Sequence, residues 1–121
     1  MREYRLTEAE ENFANIIWAN EPIKSPDLVK LCEEHFQWKK STTYTMLKRL
    51  ESKKIFQNNN SMVTSLIKKD DFHGEQSKIF VEENFGGSLP RFLAAFTRKR
   101  ELSEEEVQQL EQLILDHREE E

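Results

Sequence analysis

Over the first 67 residues, apolar side chains recur every three to four positions in three successive segments, then switch to two short runs around an asparagine turn. A chain that changes period in that order has few folds open to it, because each period sets which element can bury an apolar face. Thr7 with Glu10 forms a capping box ahead of Phe13, Ile16 and Ile17, so a first helix is expected over 7–20, ended by Pro22. Ser25-Pro26 reads as an N-cap followed by proline at the first helical position, and Leu28, Val29, Leu31, Cys32 and Phe36 extend a second helix over 26–36. After a break at 37–39, Thr43, Leu47 and Leu50 form the buried stripe of a third helix over 40–53, with Met46 at its edge. Its opposite side carries Ser41, Thr42, Thr45, Lys48, Arg49 and Ser52. Ile55-Phe56-Gln57 and the run 62–67 flank Asn58-Asn59-Asn60-Ser61, which predicts a β-hairpin, since asparagine tolerates the left-handed backbone of such turns.

Helical spacing returns after residue 70. Phe72, Ile79, Phe80 and Val81 predict a helix over 71–85, ended by Gly86-Gly87. Ser88 caps a helix over 89–99 with Leu89, Phe92, Leu93 and Phe96 apolar, and a second capping box, Ser103 with Glu106, opens a helix over 104–118 bearing Val107, Leu110, Leu113 and Ile114. The tail 119–121 is expected to fray. The fold class read from this order is mainly α: a winged helix-turn-helix domain over 1–69, with the hairpin as its wing, and a three-helix domain over 70–121. About 50 residues of amphipathic helix make a poor independent core, so the second domain is expected to dimerise through Phe72, Phe80, Phe85, Leu89, Phe92, Leu93, Phe96, Leu110 and Ile114.

The net charge of −5 conceals an asymmetry that bears on partners. Residues 1–69 hold 12 Lys/Arg against 9 Asp/Glu, and residues 70–121 hold 6 against 14. Within 38–54 there are six cations, Lys39, Lys40, Lys48, Arg49, Lys53 and Lys54, against Glu51 alone. A local basic face on an acidic body suits phosphate binding without a globally basic chain. The third helix is therefore the expected DNA reader, with Lys40, Ser41, Thr42, Tyr44, Thr45, Lys48 and Arg49 at the duplex and Asn59 contributing from the wing. Tyr44 has two readings, a phosphate contact through its hydroxyl or packing, and Trp18 and Trp38 are read as core.

Other chemistries find little footing. His35, His73 and His117 are scattered and Cys32 stands alone, so neither a metal site nor a disulfide is expected, and no cofactor is predicted. Asp70-Asp71 and Glu104-Glu105-Glu106 sit at helix starts, where anions complement the helix dipole, and Ser25 and Ser41 have no base beside them. An enzyme is not expected. The opening Met1-Arg2-Glu3-Tyr4-Arg5 leads into no apolar run, and no stretch approaches the ~18 apolar residues of a membrane span, so a cytoplasmic protein without membrane insertion is expected.

Several stretches together resemble the BlaI/MecI/CopY family of bacterial repressors. They are Leu6-Thr7-Glu8-Ala9-Glu10, Ile17-Trp18, the run Ser41-Thr42-Thr43-Tyr44-Thr45-Met46-Leu47-Lys48-Arg49-Leu50, Phe85-Gly86-Gly87-Ser88-Leu89, Ala94-Ala95-Phe96 and Leu102-Ser103-Glu104-Glu105-Glu106. The resemblance implies a homodimeric repressor on double-stranded operator DNA, with Thr42 and Thr45 facing the groove and Lys48 and Arg49 toward the backbone. It also implies relief of repression through a membrane sensor-protease pathway, with cleavage between Ala95 and Phe96. The copper-responsive branch carries a C-terminal cysteine cluster that this chain lacks. Two departures stand out: Lys54 occupies a position where the family usually has glycine, and the wing 57–65 has no lysine or arginine. The competing reading is a winged-helix adaptor that binds another protein; the basic excess at 38–54 separates the two.

Overall fold

A computed structural model describes residues 4–120; of the tail expected to fray, Glu119 is helical and Glu120 caps the last helix, while Glu121 lies outside the described residues. The elements are α1 (Glu8–Asn20), β1 (Ile23–Lys24), α2 (Ser25–Phe36), α3 (Lys40–Ser52), β2 (Phe56–Asn59), β3 (Met62–Ser65), α4 (Lys69–Phe85), α5 (Leu89–Lys99) and α6 (Glu104–Glu119). Both capping boxes form as expected: Thr7 and Ser103 accept from the third amide of their helices, and Glu10 and Glu106 reach back to the cap amides. Ser25 is not a cap. It is the first residue of α2 and is buried, and Lys24 precedes it without any side-chain capping bond.

The chain divides into two compact units, 4–79 and 80–120 among the described residues, with the division inside α4 rather than at 69/70. The reason is Phe72. It is fully buried in the first unit, where its ring meets Tyr4 at 5.4 Å and Trp18 at 5.5 Å. Phe72 is therefore core and is not available to a second chain, contrary to its expected place at a dimer interface. Around it pack Phe13, Ile17, Leu28, Leu47, Leu50, Ile55, Phe56 and Val63. Trp18 and Trp38 pack against this cluster as expected, and the Trp18 indole donates to the Ile67 carbonyl at 3.1 Å.

The sheet of the first unit is antiparallel in the order β1-β3-β2. The hairpin turns at Asn60 and Ser61, both in left-handed backbone (φ 52° and 66°), so the turn is shorter than the four residues expected and Asn58 and Asn59 belong to β2. Two consecutive positive φ values match the right-handed twist of the strands. Glu21 secures the far end of β3: its carboxylate accepts from the Ser65 amide at 2.7 Å and the Ser65 hydroxyl at 2.9 Å.

Helix α3 ends through Lys54, whose φ of 65° is left-handed; the Ile55 amide donates back to the Leu50 carbonyl at 3.1 Å. This explains the glycine expected there, since a β-carbon in that conformation costs roughly 1 kcal/mol. Lys54→Gly should therefore raise the stability of the first unit by about 0.5–1 kcal/mol, read as a rise of several degrees in thermal midpoint. An unchanged or lowered midpoint would show that the lysine stem repays the strain through packing.

In the second unit, Gly86 and Gly87 (φ 59° and 79°) end α4 where expected. Phe85 and Phe92 meet edge-on at 5.5 Å, with Phe80 and Phe96 each 6.1 Å from Phe92. Arg100 closes the α5–α6 corner: its guanidinium lies 5.1 Å from the Phe96 ring centre and grips the Glu106 carboxylate with two bonds of 3.1 and 2.8 Å. Those bonds, with the Ser103 amide, hold the Glu106 carboxyl down at about 2. Among the described residues 80–120 none is buried. Leu89, Leu113, Ile114 and Leu115 are each at least half exposed.

Candidate nucleic-acid interface

Helix α3 divides by face as its spacing predicts. Thr43, Met46, Leu47 and Leu50 are buried, so Met46 belongs to the core face itself. Lys40, Ser41, Thr42, Thr45, Lys48 and Arg49 are all exposed and share the outward side. Short hydroxyl side chains occupy the first half of that side and cations the second. Hydroxyls of that length can reach base edges, and guanidinium and ammonium groups can reach guanine or phosphate. Thr43, at the back of the helix, lies beside Cys32, whose thiol is pushed up by burial and so stays protonated.

Three residues of the basic segment have other tasks. Tyr44, expected at the DNA, is half-buried against the core, and its hydroxyl donates to Ser25 Oγ at 3.2 Å. Its aromatic ring packs against the core, as the packing reading expects, and its hydroxyl ties α3 to the start of α2. Lys53, counted among the cations, turns to α1: Nζ donates to the Arg5 carbonyl at 2.9 Å and lies 3.4 Å from Glu10 Oε1. Burial pushes the Glu10 carboxyl up, but the Thr7 amide and the Lys53 charge outweigh it, and the net value falls below 4.5. Lys53 is thus spent on a buried carboxylate. Glu51, the acid among the cations, accepts from the Asn58 amide at 3.1 Å and ties α3 to the wing. The sequence offered one hint of this: an acid on an otherwise basic helix needs a donor of its own.

The wing presents amides and hydroxyls. Asn59, Asn60 and Ser61 are exposed at its tip, and Gln57 donates to Thr64 Oγ1 at 3.2 Å across the strands. Of the other expected residues, Ala95 and Phe96 are on α5, and Leu110 and Ile114 are on α6. Among the described residues no helix is long and apolar enough to cross a membrane.

Residues 6–116 match the penicillinase repressor family. The penicillinase repressor of Staphylococcus aureus is 24% identical over 95% of this chain and 94% of its own length. The methicillin resistance regulatory protein MecI of Staphylococcus aureus (strain Mu50 / ATCC 700699) is 26% identical over 92% of this chain and 94% of its own. The penicillinase repressor of Bacillus licheniformis is 25% identical over 94% and 92%.

Proposed function

The chain belongs to the penicillinase repressor family of transcriptional repressors, and from that premise we propose that it binds a palindromic operator as a homodimer through α3. The observation that carries this reading is the outward face of α3, with Thr42 and Thr45 ahead of Lys48 and Arg49 and its acid turned away to Asn58. The two threonines read bases, and Lys48 and Arg49 bind phosphates. Lys40 and Ser41 approach the backbone at the helix start. Dimerisation is supported by a second unit with no buried residue among those described and with Leu89, Leu113, Ile114 and Leu115 in the open. Two linked recognition helices match two half-sites about one or two turns apart.

The test uses a duplex selected from a random-sequence pool by the wild-type chain. Lys48→Ala and Arg49→Ala should each lower the slope of log affinity against log salt by about one per bound protomer. Unchanged slopes would remove α3 from the duplex and leave the adaptor reading in its place.

Relief of repression is proposed to run through a membrane sensor-protease pathway that cuts between Ala95 and Phe96, inside α5. Phe96 is 38% exposed, and α5 contains no buried residue, so local unwinding there forfeits little packing. Cutting would detach the end of α5 and all of α6, and operator affinity would fall with the lost second half-site. Fragments beginning at Phe96 are expected in induced cells; an intact chain under full induction would refute this route.

A further inference from the structure

A wing without lysine or arginine would leave one flank of the duplex without a cationic contact. The structure supplies a cation from a strand that the sequence pattern does not reveal. Strand β1 is two residues long and pairs with β3 so that Lys24 stands opposite Met62, while Met62 also stands opposite Asn59 of β2. Directly opposed residues on antiparallel strands project to the same face, so Lys24, Met62 and Asn59 form one row across the sheet. The neighbouring row, Ile23, Val63 and Asn58, faces inward, with Ile23 and Val63 in the core. The outward row is exposed at all three positions, and Lys24 is the one cation in the three strands.

Two bonds set where this row lies. The Ser25 amide donates to the carbonyl of Ser61, at the wing tip, at 2.8 Å. The Ser25 hydroxyl accepts from Tyr44 of α3 at 3.2 Å. The Lys24–Ser25 junction is therefore fastened to the wing tip on one side and to α3 on the other. A major groove that admits a helix is about 12 Å wide, so phosphates flank such a helix on either side, and the bond from Tyr44 to Ser25 roots Lys24 next to α3. Among the described residues Lys24 has no ion pair or side-chain hydrogen bond, whereas Lys53 is held by Glu10 and Lys68 lies 3.8 Å from Glu21.

We propose that Lys24 is a backbone-phosphate contact of the DNA interface, serving the wing in place of a cation within the hairpin. The inference rests on the α3 reading above. Lys24 ammonium neutralises a phosphate beside the groove, and Asn59 and the turn hydrogen-bond next to it. Contacts of this kind set affinity and register rather than sequence preference.

The experiment measures affinity of the full chain for the same selected duplex across a salt series, for wild type, Lys24→Gln, Lys24→Arg and Lys48→Ala. Lys24→Gln should lower the salt slope by about one per bound protomer, a loss of about eightfold per protomer at 0.1 M salt relative to 1 M. Lys24→Arg should keep the wild-type slope, and the thermal midpoints of both should match wild type because the side chain is exposed and unbonded. A Lys24→Gln slope equal to wild type, with Lys48→Ala lowered, overturns this inference and leaves the α3 reading standing. Wild-type slopes for both Lys24→Gln and Lys48→Ala, or failure to select any duplex, overturn both.

Discussion

Phe72→Ala should cost the first unit about 3–5 kcal/mol, enough to lower its thermal midpoint by about 15–30 °C. The residue is fully buried, and its ring touches Tyr4, Trp18 and His73 at centroid distances of 5.4, 5.5 and 5.9 Å. Truncation removes the transfer energy of a phenyl ring and leaves a cavity at the place where the start of α4 is held to α1. The loss should not depend on protein concentration, because the contacts lie within one chain. Calorimetry at two concentrations checks this, with Phe72→Leu expected to recover most of the stability since it refills most of the volume. A variant that melts like wild type but dissociates more readily would return Phe72 to an interface between chains.

Ile114→Asp should act the other way, on association with little effect on folding. Ile114 is 57% exposed in the protomer, beside Leu113 at 64% and Leu115 at 50%. A carboxylate there is solvated in the monomer, so the fold loses little. At an interface the same carboxylate would be buried without a partner, at several kcal/mol per copy. Sedimentation at micromolar concentration should therefore move from dimer to monomer. Affinity for the selected duplex should fall about 10²–10⁴-fold, because the second half-site no longer binds at high effective concentration. A wild-type chain that sediments as a monomer would refute the dimer. A monomeric variant with undiminished affinity would refute its role in binding.

The elements that were legible in the sequence are those specified by neighbours in the chain. Thr7 with Glu10, and Ser103 with Glu106, mark helix starts because the capping partners are three residues apart. The faces of α3 follow from its spacing, which is why Thr42, Thr45, Lys48 and Arg49 are exposed as expected. Strand β1 was not legible. Two residues carry no periodicity, and Ile23–Lys24 is a strand because β3, nearly forty positions on, offers it an edge. The four-residue turn was overestimated because composition marks asparagines as turn formers without saying which of them pair first.

What the sequence determined by itself, then, is the order of helices and hairpin, the outward chemistry of α3, and a second unit too apolar for its size. Tertiary structure alone decided which residues of those segments remain free to act. It took Phe72 into the first core, Tyr44 to Ser25, Lys53 to Glu10 and Glu51 to Asn58, and it brought Lys24 to the wing. The physical reason is distance along the chain. A side chain's local period says which way it points, but its charge or hydroxyl is spent on whatever the fold packs against it, and Lys53 meets Glu10 across more than forty residues.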